Sequence, residues 1–298
     1  MIRKLALGTA LAAALATAPA FAQTPQASSN NKVVIEAQRP EEAVRDFVAE
    51  IGEGATADGA NLARWDRKVC VGVVNITQAY AQRLIDQVSL VAAAVGLEPG
   101  EPGCRPNVLV LADSKSDELA ARLIKDSPKA FRPEFNGTSN LGRSALRKFE
   151  KSNAPVRWWH VSQTVLADTG ASAMEGRSVR VRGASRLRNN VREDLQHAII
   201  ILDTSRIGSV SFASLADYVA MVALAQVDAD ADMREFPSIL NLFTTEKGDR
   251  TARMTQWDLD YLIALYDTPG DASSAMREAR HIARAMMKRP SDTKVATE

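Results

Sequence analysis

The sequence predicts an α+β fold: one main domain in which helices pack against a mixed five-stranded sheet. Three observations point there. First, "KVCVGVVN" (68–75), "ITQAYAQRLIDQVSLVAAAVGL" (76–97) and "NVLVLAD" (107–113) follow one another as strand, long amphipathic helix and strand. Second, the alternation then stops, and "VRWWHVSQTVLA" (156–167), "RSVRVRGASRL" (177–187) and "DLQHAIIILD" (194–203) follow as three strand-like runs. Third, an almost wholly apolar helix comes next, from about Phe212 to Val227, containing "LADYVAMVALA" (215–225). A doubly wound sheet would alternate strands and helices to its end. The pattern instead favours a mixed sheet with its helices on one side.

The elements can be justified in order. Arg3 and Lys4 precede a small-residue apolar run from Leu5, and Ala20-Phe21-Ala22 supplies the small-x-small pattern of a signal-peptidase site. The expected signal peptide is 1–22, cleaved after Ala22, which places the mature chain in the periplasm or outside the cell. Residues 23–63 form a linker and a short helix, "EEAVRDFVAEI", where Val44, Phe47, Val48 and Ile51 recur at helical spacing. The main domain covers 64–268. Within it "SDELAARLIKD" is a helix with Ser116 suited to its N-cap, and "GRSALRKFEK" is another. "TQWDLDYLIALYD" (255–267) closes the domain, and 269–298 holds a last helix, "SSAMREARHIARAMMK", and a polar tail. That last helix reads either as docked with a solvated basic face or as a basic helix lying on anionic lipid.

Composition excludes some classes. Lys and Arg number 37 against 36 Asp and Glu, for a net charge of +1, so no clustered basic surface argues for nucleic acid. Past the signal no segment approaches eighteen uninterrupted apolar residues, so no transmembrane segment is expected in the mature chain. The only cysteines are Cys70 and Cys104. In an exported chain an even count favours a disulfide over two buried thiols.

The familiar catalytic signatures are missing: there is no G-x-S-x-G, no Walker loop, no G-x-G-x-x-G and no H-E-x-x-H. The three histidines, His160, His197 and His281, have no partner at ligand spacing. No catalytic residue, metal ligand or cofactor is therefore assigned. On a strand, Val156, Trp158 and His160 share one face while Arg157, Trp159 and Val161 share the other. Both rings are either packed under helices, or one ring and His160 form the wall of a groove.

Element order then brings in a resemblance. Strand, helix, strand, strand, edge strand, inner strand and buried helix resemble the catalytic half-domain of zincin metallopeptidases, the metzincin-like arrangement most of all. "PSILNLF" followed by "MTQWDLDYLIALYD" is similar to the ending of an uncharacterised family of exported proteobacterial proteins with a zincin-like domain. The matching positions are Thr255, Asp258, Leu262, Leu265, Tyr266 and Asp267, and the resemblance covers roughly 68 to 267. The family's metal helix carries His, then Glu, then a second His four residues after the first. Laid on this chain, those positions hold Asp217, Tyr218 and Met221. Met does not replace an imidazole on zinc, nor Tyr a Glu base near neutral pH, so the zinc-binding motif is lacking. The helix is either a plain core helix, with Asp217 exposed or capping a neighbour, or the relic of a metal helix.

The resemblance implies a non-catalytic domain that binds a peptide or protein of the cell envelope. A peptidase-like hydrolase with dispersed or unusual catalytic residues is the alternative. In the zincin arrangement the fourth strand is the sheet edge to which substrates add as an extra strand. That strand would be 178–187, whose Arg180, Arg182 and Arg186 would favour acidic peptides, with Trp158 and His160 in the groove.

Overall fold

The computed structural model describes residues 39–52, 61–131, 138–139, 141–173, 188–243 and 252–289. The expected signal segment and the expected strand 177–187 lie outside them. In chain order the elements are α1 (Glu41–Gly52), β1 (Lys68–Val69), β2 (Val71–Val74), α2 (Gln78–Ala94), β3 (Glu98–Pro99), β4 (Val108–Asp113), α3 (Ser116–Asp126) and α4 (Pro128–Phe131). They continue with β5 (Thr138–Ser139), α5 (Gly142–Lys151), β6 (Val156–Leu166), β7 (Val191–Asp203), α6 (Phe212–Leu224), a 3-10 turn (Ile239–Phe243), α7 (Gln256–Asp267) and α8 (Ala275–Met287).

The sheet is mixed, as the sequence predicts. Four strands carry it in the order β2-β4-β7-β6; β2, β4 and β7 run parallel and β6 runs antiparallel to β7. The count of five needs correcting, because the fifth member is only the two-residue β5, paired to Gln163 and Ser162 of β6. Two residues leave no periodicity to read, and β5 sits in a stretch that reads as a polar connection. The first strand also divides. Lys68–Val69 pairs with β3 in a separate two-stranded parallel sheet, Val71–Val74 pairs with β4, and Cys70 marks the break. Cys70 is bonded to Cys104, with Cα atoms 6.2 Å apart. The disulfide therefore pins the turn before β4 to the point where the first strand changes partners.

Helices cover both faces of the sheet, not one. Val156, Ala198, Ile200 and Leu202 face a large core shared with α1, α2, α6, α7 and α8, while Trp159, Val161, Ile199 and Ile201 face a smaller one under α3, α4 and α5. The signal was present in "AIIIL" (198–202): a strand apolar at every position is buried on both faces, whereas a half-buried strand alternates. The helices flanking the main domain join the larger core. Val44, Phe47, Val48 and Ile51 of α1 are buried there, as are Ile282, Ala283 and Met286 of α8. Met276, which the helical spacing places on the apolar face of α8, is 66% exposed instead. Among the described residues no helix is long and apolar enough to cross a membrane.

α6 is buried from Ser214 to Leu224, as an all-round apolar helix should be. Ser211 caps its start by accepting from the Ser214 N–H (3.0 Å). Its C-terminus has no glycine, and the helix stops at Leu224, three residues short of expectation. The last carbonyls of a helix lack intrahelical donors, and here other elements supply them. His160 Nε2 binds Val222 O (2.8 Å), Trp65 Nε1 binds Ala223 O (2.8 Å) and Tyr266 Oη binds Leu224 O (2.6 Å). Trp158 Nε1 then holds Val227 O at 3.0 Å. Strand β6, the 61–66 segment and α7 thus fix the end of α6 and the direction of the chain leaving it.

Candidate functional site

A cleft of about 730 Å³ lies along β6. One wall is α5, with Ser144, Ala145, Lys148 and Lys151; the other is Tyr218 and the segment Gln226–Asp230 that leaves α6. Successive β6 residues from Val156 to His160 line it. Neighbours in a strand point to opposite faces, so a cleft touching all of them runs along the strand's edge.

The pairing pattern shows what that edge offers. Asp203 N–H donates to Pro155 C=O (2.8 Å), and β6 pairs with β7 without a shift from Val156↔Leu202 to Val161↔His197. Alternate residues of an antiparallel strand turn their peptide groups to the same side. Arg157, Trp159 and Val161 therefore bond β7, while Val156, Trp158 and His160 direct N–H and C=O to the opposite edge. The alternation holds farther along, where Ala173 N donates to Thr164 O (3.0 Å) and Leu166 N to Ala171 O (2.8 Å). That half of the edge is covered by β5 and by residues 171–173. Between Val156 and His160 no described strand covers it. The local reason is Gly142, whose φ of 79° lets the chain coming from β5 turn away into α5.

Of the residues singled out from the sequence, Trp158, His160 and Tyr218 come together in this cleft. The Trp158 and Tyr218 rings meet edge to face with centroids 6.1 Å apart, and Phe243 closes on Tyr218 at 5.1 Å. Burial pushes the Tyr218 phenol well above its ordinary range, so it stays protonated. His160 is pushed down to about 4, because burial disfavours the cation more than the Val222 carbonyl favours it. The imidazole is neutral at pH 7, with its proton on the nitrogen facing that carbonyl.

Asp217 and Met221 are elsewhere. Met221 is fully buried in the larger core. Asp217 is buried rather than exposed, and accepts from Gln87 Nε2 (2.7 Å), Arg253 Nε (2.7 Å) and Met254 N (2.9 Å). Its carboxylate ties α2 and the chain entering α7 to α6, which agrees with the capping role and not with an exposed one. Among the described residues no group of three or more His, Cys, Asp or Glu is placed to hold a metal ion. Arg180, Arg182 and Arg186 lie outside the described residues.

Sequence reasoning missed Gln226, Asn61 and the Lys148–Asp230 ion pair that joins the two walls at 2.5 Å. Gln226 had a signal, as the polar residue ending an apolar run from Val219. The others had none, since their meeting depends on how α5 and the segment after α6 approach β6. Compared with protein families, curated proteins and solved structures, the chain matches none of them at a significant level.

Proposed function

We propose that this is an exported, non-catalytic protein of the cell envelope that binds an extended peptide, or a segment of a protein, as an added strand on β6. The carrying observation is the stretch Val156–His160, which lines a cleft and whose outward edge pairs with no strand among the described residues. At about 3.3 Å per residue those five residues make a run of roughly 16 Å. Main-chain hydrogen bonds would give affinity and alternate side-chain pockets specificity. The zincin-like reading is supported by the succession of antiparallel strand β6, inner strand β7 and buried helix α6. The pairing edge proposed here is that of β6, while 178–187 lie outside the described residues. Export is supported by the Cys70–Cys104 disulfide.

The test is titration of a blocked pentapeptide, Thr-Val-Thr-Val-Thr, followed by amide chemical shifts. Shifts and slowed exchange at Val156, Trp158 and His160 are expected, and loss of binding when the peptide is N-methylated at alternate residues. The peptide should be recovered intact, and elemental analysis should find no stoichiometric zinc. Cleavage would favour the hydrolase alternative, and shifts confined to α8 would remove the cleft from consideration.

A further inference from the structure

α8 has two faces, and the fold uses only one of them. Ile282, Ala283 and Met286 are buried in the larger core. Glu278, the single acidic residue of the helix, is turned inward as well, where its carboxylate pairs with Arg64 and accepts the Leu62 N–H (2.7 Å). A helix whose apolar face is taken up by the core cannot lie in lipid by that face. What α8 leaves outside is the opposite face, and that face is cationic.

Arg277, Arg280, Arg284 and Lys288 fall within an arc of about 80° around the helix axis and run about 17 Å along it. Arg280, Arg284 and Lys288 are exposed and Arg277 is partly so. Arg280 Nη2 rests on the neutral Met276 Sδ (3.0 Å), and none of the four forms an ion pair with a described residue. Acids at i±3 and i±4 would compensate such charges, but from Ser273 to Lys288 those positions hold no carboxylate. Arg289 is the contrast: one residue on, it is anchored by Asp267 (3.0 Å) and Asp260 (3.8 Å). Met276 and the partly exposed Met287 border the stripe. At 66%, Met276 is the most exposed large apolar side chain among the described residues.

We propose that this stripe adsorbs the protein on an anionic phospholipid surface, with α8 parallel to the membrane and still docked in the core. The match is one of charge and of shape. A row of uncompensated cations is attracted to a surface of many negative headgroups, each cation strengthening adsorption about fivefold. A single phosphate would neutralise only part of a row this long. Met276 and Met287 add flexible apolar tips beside the cations. Net charge does not supply the attraction, since the whole chain carries only +1. Helix α1 shares the same core and exposes Glu41, Glu42 and Asp46. The attraction is therefore local to α8 and fixes which side of the molecule turns to the membrane.

The experiment uses the full mature chain and vesicles of mixed phosphatidylglycerol and phosphatidylcholine, or of phosphatidylcholine alone. At low salt the protein should sediment with the first and not with the second, and high salt should release it. Arg280→Gln with Arg284→Gln should weaken binding about twentyfold. Arg280→Lys with Arg284→Lys keeps the charges and should keep the binding. Arg122→Gln with Lys125→Gln, on α3 against the opposite face of the sheet, changes net charge equally and should leave binding unchanged. All these side chains are exposed, so urea midpoints should match the parent. Excess soluble glycerol phosphate should not displace the protein, because one headgroup does not cover the stripe. Failure to sediment with the anionic vesicles would overturn the proposal, as would equal binding to both kinds. So would equal losses in the α3 and α8 glutamine variants, or displacement by glycerol phosphate.

Discussion

His160 has two duties that pull on its protonation. A helix C-terminus favours a cation by about 1–2 kcal/mol, but complete burial outweighs it and holds the ring neutral with a pKa of about 4. The unfolded ring titrates near 6.5, so between pH 6.5 and 4 the unfolded state binds more protons. The contribution of His160 to stability is therefore whole above pH 6.5 and declines as pH falls to 4, by up to ~3 kcal/mol. Glu278 acts oppositely: burial pushes its carboxyl up to about 7 despite the adjacent Arg64, so its contribution weakens as pH rises from 4.5 toward 7. Urea unfolding of the parent and of His160→Phe across pH 4–7 isolates the histidine, since Glu278 is common to both. The difference between the two should shrink toward acid, and a constant difference would show that His160 does not titrate there. Asp217 is a simpler case. Asp217→Ala strands Gln87, Arg253 and the Met254 N–H, and should cost about 3 kcal/mol in the same assay.

Among the elements, α7 shows what the stretch from Pro237 to Asp267 does physically. Thr255 and Asp258 form a capping box, with Asp258 N to Thr255 Oγ1 at 3.1 Å and Thr255 N to Asp258 Oδ2 at 2.9 Å. The same carboxylate receives Ser238 Oγ (2.6 Å) and Ile239 N (2.8 Å), so "PSIL" is fastened to the start of α7. Leu262 and Leu265 are fully buried, Tyr266 closes the end of α6, and Asp267 pairs with Arg289. Thr255→Ala should cost about 1 kcal/mol as a lost cap. Asp258→Ala should cost several times more, because buried donors lose their acceptor. Urea midpoints compare the two, and equal costs would mean the carboxylate does no more than cap. Such helices were legible because their chemistry is local: a capping residue, apolar spacing, a stop. Ser116 shows the limit. It reads as an N-cap, but Lys115 occupies that place and the Ser116 hydroxyl donates instead to Asp203 at the end of β7 (2.6 Å). A partner 87 residues away leaves no local trace.

Across the whole molecule, what the sequence left hidden is which strand edge lacks a partner strand among the described residues. Trp158 and His160 were visible as candidates, but among the described residues the unpaired edge depends on three separate facts: β5 is two residues long, Gly142 has a φ of 79° at the start of α5, and the segment after α6 lines the other side of the cleft. Open edges invite pairing with other chains, and proteins commonly guard them with charge or cover. Here Val156 is 1% exposed, so the edge is recessed, and Lys148 and Asp230 join across the two walls. Lys148 is held protonated by Asp230, yet both side chains are largely exposed, and solvent screening leaves exposed ion pairs contributing little to stability. The pair is thus too weak to hold the fold and well placed to limit access to the edge. Lys148→Ala should leave the urea midpoint almost unchanged while raising affinity for the Thr-Val-Thr-Val-Thr peptide severalfold. The same variant should begin to self-associate at concentrations where the parent is unchanged, as sedimentation velocity would show. If β6 is not a pairing edge, removing the ion pair should alter neither measurement.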